Sequence, residues 1–367
     1  MDERQQLLKE WTYAKLINLK KVSSATYQWE MVSGDASFRR YFRLKQDLKS
    51  WIAVDAPPEY EKLEPFILVD TLLTQAQIRV PEVVAYDLSQ GLMLLSDFGD
   101  LLFLSALKLN NGLKTSEFYD QNQAEMLYQQ AIQTLVHIQA IPQYLYDVLP
   151  LYDEVRLKNE MLLLKEWHIE KFLGHFLLPH ETDMINAFFD SLTHAILQQP
   201  QVFVHRDFHS RNLMVLPSNA LGVIDFQDAL KGAVTYDWVS IFKDCYVHWP
   251  RSQIEIWLKI GLEQLKEKKI IADDLSLETW LKWFDTMGLQ RHIKIAGIFS
   301  RLYLRDGKAG YLNDIPLTYA YILDACKRID EFSLFSDWLK SIILPKYFAK
   351  NPEAEVKITG FLAALSS

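Results

Sequence analysis

Five polar residues between short apolar runs in Val202 to Gln227 have the types and spacing to move a phosphoryl group. His205-Arg206-Asp207 follows the run VFV, Asn212 comes five residues after Asp207, and Asp225-Phe226 comes thirteen residues after Asn212. Phosphoryl transfer asks little covalent work of a protein, so positioning and charge neutralisation carry most of it. A carboxylate at Asp207 can orient an acceptor hydroxyl and take its proton. Asn212 and Asp225 offer the hard oxygen atoms that magnesium takes, with phosphate oxygens and water completing its shell. Each piece alone reads as a surface turn or the end of a buried strand. Together, in order, they give H-R-D-x-x-x-x-N followed by D-F.

Such residues need rigid elements behind them. The apolar runs VFV, NLMVL and LGVI predict strand, loop, strand, turn, strand across this stretch. Upstream, Tyr27–Val32, Phe38–Leu44 and Trp51–Val54 read as three strands, after a helix over 4–20. The turn Gly34-Asp35-Ala36-Ser37 carries residues small enough for a backbone to approach phosphate oxygens. Glu59–Gln77 reads as a helix with Leu63, Phe66, Leu68, Val69, Leu72 and Leu73 on its core side. Val83–Tyr86 and Gly91–Leu95 form another strand pair, followed at once by Ser96-Asp97-Phe98. From about residue 101 the pattern is helical: Gln121–Ala140, Asp153–Phe172, Glu181–Gln198, Tyr236–Trp249, Ser252–Lys266, Leu275–Met287, Gln290–Leu304 and Leu317–Leu344, the last ended by Pro345.

Composition narrows the class. The chain has 367 residues, a net charge of -8 and 49% hydrophobic residues. That is ample for two domains and a large core, and it lacks the basic footprint of a nucleic-acid binder. Cys245 and Cys326 make neither a metal spacing nor a disulfide framework, which suits a reducing compartment. The start, MDERQQLLKEWTYAKL, lacks the basic and apolar regions of a signal peptide. No apolar run is long enough to span a membrane. A cytoplasmic location is expected.

The motifs resemble the aminoglycoside phosphotransferase and choline kinase superfamily, and within it the bacterial anomeric kinases of N-acetylmuramate and N-acetylglucosamine that act in cell-wall recycling. The likeness spans roughly residues 30–340. It rests on GDASFRRYFRL (34–44), DAPPE (55–59), GLMLLSDFGD (91–100), VFVHRDFHSRNLMV (202–215), GVIDFQDALKGAVTYDWVSIFKD (222–244) and GLQRHIKIAGIFSRLYLRDGK (288–308). The resemblance implies an α+β, protein-kinase-like two-lobed fold. A small N-terminal lobe (1–97) with an antiparallel sheet would bind the nucleotide, and a larger, mainly helical lobe (98–367) would carry the catalytic loop and acceptor site. It implies ATP and Mg2+ as cofactors and a small amino sugar as partner, with no nucleic acid and no membrane. Asp207 would be the catalytic base, and Asn212 and Asp225 the magnesium ligands. Gly34, Asp35, Ala36, Ser37, Phe38 and Arg39 would cover the ATP phosphates, and the backbone of Ser96, Asp97 and Phe98 would meet the adenine.

One departure from the protein-kinase pattern stands out. Asp55 occupies the place of the strand lysine that holds the phosphates, and Arg40 is expected to supply the missing charge. Only eleven residues separate Asp225 from Asp237, too few for a phosphorylated activation loop. Asp237 resembles the helix-start aspartate that props up the catalytic loop. For the acceptor, Gln227 and Asp228 are candidates for sugar hydroxyl or acetamido groups. Arg291, Arg301 and Arg305, with Lys294 and Lys308, form a basic cluster that could pair a lactyl carboxylate or simply be a solvated face. An aminoglycoside or choline kinase, or a catalytically silent nucleotide-binding protein, is the alternative.

Overall fold

The computed structural model describes residues 2–21, 27–34, 38–108, 121–217 and 220–366. In chain order the elements are α1 (Glu3–Asn18), β1 (Gln28–Gly34), β2 (Arg40–Gln46), β3 (Lys49–Asp55), α2 (Glu64–Gln75), β4 (Val83–Asp87), β5 (Leu92–Ser96), α3 (Phe103–Lys108), α4 (Gln121–Gln139), α5 (Gln143–Tyr146) and α6 (Glu154–Leu163). A π-helical segment (Leu164–Phe172), α7 (Pro179–Leu197), β6 (Gln201–Val204), β7 (Leu213–Val215), β8 (Leu221–Val223) and β9 (Leu230–Ala233) follow. The remainder is helical: α8 (Tyr236–Phe242), α9 (Arg251–Glu267), α10 (Leu277–Asp306), α11 (Ile315–Arg328), α12 (Ser333–Trp338), a second π segment (Leu339–Ile343), α13 (Leu344–Lys350) and α14 (Ala354–Ser366).

The chain divides into two compact units. Met1–Leu102 and Asn212–Asp228 make the first, and Phe103–Arg211 and Ala229–Ser367 the second. The segment bearing Asn212 and Asp225, expected in the second domain, groups with the first.

The first unit is built on an antiparallel sheet in the order β1-β2-β3-β5-β4. Strand alternation sends Phe42, Leu44, Trp51, Ala53, Leu92 and Leu94 into one cluster with Leu8 and Leu16 of α1. Asp2 caps α1 by accepting from Gln5 N at 2.8 Å, a standard way to satisfy the first turn. In α2, Leu68 is exposed and Asp70 is buried. The apolar stripe runs Phe66, Val69, Leu73, the i, i+3, i+7 set, and Asp70 lies on it while Leu68 does not.

Among the described residues the second unit is helical apart from the β6–β9 pair. Its centre is α10, against which α6, the first π segment, α7, α8, α9 and α11 pack. The sequence predicts two helices there, broken near Gly288. The structure has one, because packing on nearly all sides outweighs the roughly 1 kcal/mol that a helical glycine costs. Ser276 caps α10 and Gly307, at φ 68°, ends it. Tyr236–Trp249 is helical only to Phe242, after which Lys243 turns out of the helix and buries its amine against Asp285 at 3.0 Å. The Leu317–Leu344 expectation resolves into α11, α12 and the second π segment. Pro345 does not stop a helix but sits in the first turn of α13, where its missing N–H costs nothing. Of Asp153–Phe172, Asp153 is the extended N-cap and Glu154–Phe172 is helical, its last nine residues widening to π. Trp238, Trp249, Trp257 and Trp280 are buried, and each indole N–H has an acceptor; Trp283 is half-buried.

Candidate active site

In the second unit, β6 delivers His205 into a tightly held loop. Asp237, the buried first-turn residue of α8, accepts from His205 N at 2.7 Å and Arg206 N at 3.0 Å. Burial pushes the Asp237 pKa up to about 7, against the pull of those two N–H groups and of Arg291. Arg291 Nη1 donates to the Arg206 carbonyl at 2.9 Å. Ser210 N donates to Asp244 at 3.0 Å. These bonds hold Arg206 at φ 76°, a conformation that costs a non-glycine residue about 1 kcal/mol or more. The next residue is Asp207. Burial would raise its pKa, but the positive field of Arg291, with His209, Lys294 and Arg206, outweighs this and holds it below the ordinary aspartate value. Asp207 is therefore an anion at neutral pH, as a proton acceptor must be.

In the first unit, β7 and β8 pair with Leu213 opposite Val223. Ile224 N donates to Asn212 O at 3.1 Å. Asp225 follows at φ 63°. One of its oxygens accepts from the Asn212 amide at 3.1 Å and the other from the Gln227 amide at 2.8 Å. That orientation leaves Gln227 Oε1 shut off from solvent with no hydrogen-bond partner among the described residues. The Asp225 carboxylate and the Asn212 and Gln227 amides, the latter with its orphaned carbonyl oxygen, form a hard oxygen set. Such a set fits magnesium, which takes few protein ligands. Phe226 packs on Phe66 of α2, ring centroids 4.6 Å apart, and this fixes α2 to the Asp225 turn. Asp228 is exposed.

The residues expected at the nucleotide lie in the same unit. Asp35, Ala36 and Ser37 fall outside the described residues. Gly34 ends β1 opposite Arg40. Phe38 is exposed and stacks on Tyr60 with centroids 4.5 Å apart. Arg39 is buried against Glu61 at 3.3 Å. Arg40 is not poised for phosphate: it binds Asp55 Oδ2 at 2.6 Å and also pairs with Asp2. Asp55 is fully buried, with Arg4 of α1 at 2.5 Å on its other oxygen. The residue in place of the strand lysine is thus the hub of an ion-pair cluster that docks α1. Ser96 accepts from Glu82 N at 2.8 Å. The Asp97 carboxylate is committed to Arg43, at 2.6 Å, and to Gly99 N, at 2.9 Å, so this segment has its backbone to offer and not that side chain. The Phe98 ring lies over Gly222 of β8, where an added Cβ would stand 2.5 Å from the ring edge.

The expected basic cluster does not converge. Arg291 is buried and spent on Arg206 O and, at 3.1 Å, Tyr236 OH. Lys294 is buried on Glu160 at 3.1 Å. Arg301 is half-buried, its Nε without a hydrogen-bond partner among the described residues. Arg305 is exposed and pairs with Asp306. Arg291 and Arg305 are separated by about 21 Å of helix, at 1.5 Å per residue, more than one small sugar covers. Lys308 lies beyond the end of α10. Sequence reasoning missed Glu160, which meets Arg206 and Lys294, and Tyr152, whose hydroxyl meets Glu160; only tertiary contact marks them.

Comparison with known proteins places these features in a class. Residues 28–267 match the phosphotransferase enzyme family. The chain belongs to that family. It is 38% identical to the N-acetylmuramate/N-acetylglucosamine kinase of Pseudomonas aeruginosa over 310 residues, 84% of this chain and 87% of that protein. It is also 38% identical to the protein of the same name from Pseudomonas putida over 301 residues, 82% of this chain and 84% of that one. Among solved structures it is similar in fold to the choline kinase of Cryptosporidium parvum Iowa II, with a TM-score of 0.60, 13% identity, and coverage of 92% of this chain and 100% of that one. The α+β fold is the protein-kinase-like one that the motifs imply.

Proposed function

We propose that this chain transfers the γ-phosphoryl group of ATP to the anomeric C1 hydroxyl of N-acetylmuramate or N-acetylglucosamine, a step of peptidoglycan recycling. The observation that carries this is the 38% identity over 84% of the chain to a kinase of that name. The site chemistry agrees with it. Asp207, anionic under the field of Arg291 and its neighbours, accepts the proton of the sugar hydroxyl as its oxygen attacks the γ-phosphorus and the bond to the ADP oxygen breaks. An anomeric hydroxyl is more acidic than an ordinary alcohol, so a carboxylate is base enough. Magnesium bound at Asn212 and Asp225 would neutralise charge on the phosphates. Gly34 to Arg39 would cover the phosphates, and the backbone of Ser96 to Phe98 would meet the base. Gln227, with its orphaned oxygen, is the best placed of the polar candidates to receive a sugar or metal-bound group. Dependence on ATP supports a cytoplasmic location.

The test is phosphorylation of N-acetylglucosamine in the presence of magnesium by wild type and by Asp207→Asn. Wild type should turn over, and the variant should lose about 100-fold or more in kcat, the scale of general-base removal, while still binding ATP. Full turnover in Asp207→Asn removes Asp207 from the role of base. A wild type that binds ATP and phosphorylates neither amino sugar overturns the proposed function.

A further inference from the structure

The Arg206 side chain ends on a buried carboxylate far from it in the chain. Glu160, on α6, binds Arg206 Nη2 through Oε1 at 2.6 Å. Its other oxygen meets Lys294 Nζ at 3.1 Å and accepts from the Tyr152 hydroxyl. Gln290 donates to that hydroxyl at 3.1 Å. Only 12% of the Glu160 side chain is exposed. Burial opposes its charge, yet Lys294, Arg206 and the Tyr152 hydroxyl hold its pKa below the ordinary glutamate value. An anion is thus stored in the second unit, with two cations on it.

Arg206 is gripped at three points: its backbone N–H by Asp237, its carbonyl by Arg291 and its guanidinium, through Nη2, by Glu160. It sits at a costly φ of 76° directly before Asp207. In kinases switched by phosphorylation, a phosphate on a long loop orders the site by pairing with arginine. Here the eleven residues from Asp225 to Asp237 leave no such loop. We infer that Glu160 is a positioning residue, a built-in anion that stands where that phosphate would act, locking the Arg206 turn so that Asp207 is held in its working position without covalent activation. Its effect on turnover rests on the function proposed above; its effect on the loop does not.

Two readouts separate these. The first is amide hydrogen exchange over residues 204–211, without substrate, in wild type, Glu160→Gln and Glu160→Asp. Loss of the charge should speed exchange there by about 10-fold or more, the scale of a hydrogen bond to a charged group. The five-stranded sheet should be unaffected, and Glu160→Asp should fall between. The second readout is kinetic. In Glu160→Gln, kcat should drop by about the same factor with the KM for ATP unchanged. In an Arg206→Met background the same change should cost less, since one of its two cations is gone and only the Lys294 and Tyr152 contacts remain to be lost. Phosphatase-treated wild type should keep full activity. Unaltered exchange in Glu160→Gln, or activity lost on phosphatase treatment, overturns the inference. If wild type phosphorylates no amino sugar, the function falls and the exchange data still decide the role of Glu160. If Glu160→Gln does not fold, the double variant with Arg206→Met, which strands no arginine, carries the exchange test.

Discussion

Arg206 and Asp225 hold left-handed backbone conformations at φ 76° and 63°. The other non-glycine residues that do so among the described ones, Lys20, Asp47, Gln77 and Lys269, follow helices or turn a hairpin, where such geometry is routine. At Arg206 and Asp225 it has no such structural excuse, and outliers of this kind gather at functional sites. Asp207, Asn212 and Asp225 are candidates that spacing alone picks out, because phosphoryl transfer asks for those types in that order. Glu160 is not, because its partners Arg206 and Lys294 come from distant segments. The pairing of Arg40 is hidden for a related reason: nothing local reveals that it meets Asp55 across strands or that α1 brings Asp2 and Arg4 to the same place. Asp70 is another residue the sequence hides. It is 8% exposed, and burial raises its pKa from 3.8 to about 6. The folded state keeps this proton while the unfolded chain loses it from 3.8 upward, so the group lowers stability as pH rises through that window, and the full cost is present above the folded pKa. Asp70→Asn should therefore stabilise the protein by about 1–3 kcal/mol at neutral pH and by little in mild acid. Urea midpoints at about pH 7.5 and about pH 4.5 check this; an unchanged midpoint at the higher pH would contradict it.

At the scale of elements, α10 carries both Arg291 and Lys294, and α6 carries Glu160. Their separation depends on Gly297. A Cβ there would stand 2.3 Å from the Leu163 carbonyl carbon and 2.5 Å from its oxygen, where α6 passes into the π segment. Backbone atoms cannot swing aside as a flexible side chain can. Gly297→Ala should cost about 1–3 kcal/mol of stability, the usual price of overpacking. It should also lower activity further than Gly310→Ala, whose Cβ meets nothing within 4 Å. Chemical denaturation of both variants is the measurement; equal midpoints would mean that α10 and α6 can part freely. Most helices and strands were legible from periodicity. What was not legible is how they end or join: the two halves of α10 merge over Gly288, and the helix from Leu317 breaks into shorter pieces. Burial on several sides decides both outcomes, and a sequence window does not see it.

At the scale of the molecule, the boundary between the compact units falls between Arg211 and Asn212, inside the H-R-D-x-x-x-x-N motif. Motif order disclosed the kinase-like class, since these chemical pieces occur together on few architectures. It did not disclose that a hairpin late in the chain groups with the N-terminal sheet, because such membership is a matter of packing. Among the described residues no helix is long and apolar enough to cross a membrane. The central claim is transfer to the anomeric hydroxyl of an N-acetylated amino sugar. The measurement that bears on it most directly is magnesium-dependent ADP release with N-acetylmuramate, N-acetylglucosamine, 1-deoxy-N-acetylglucosamine, kanamycin and choline, each as sole acceptor. The account predicts turnover on the first two and none on the 1-deoxy sugar. Equal turnover on the 1-deoxy sugar would move the phosphate off C1, and turnover on kanamycin or choline alone would contradict the amino-sugar assignment.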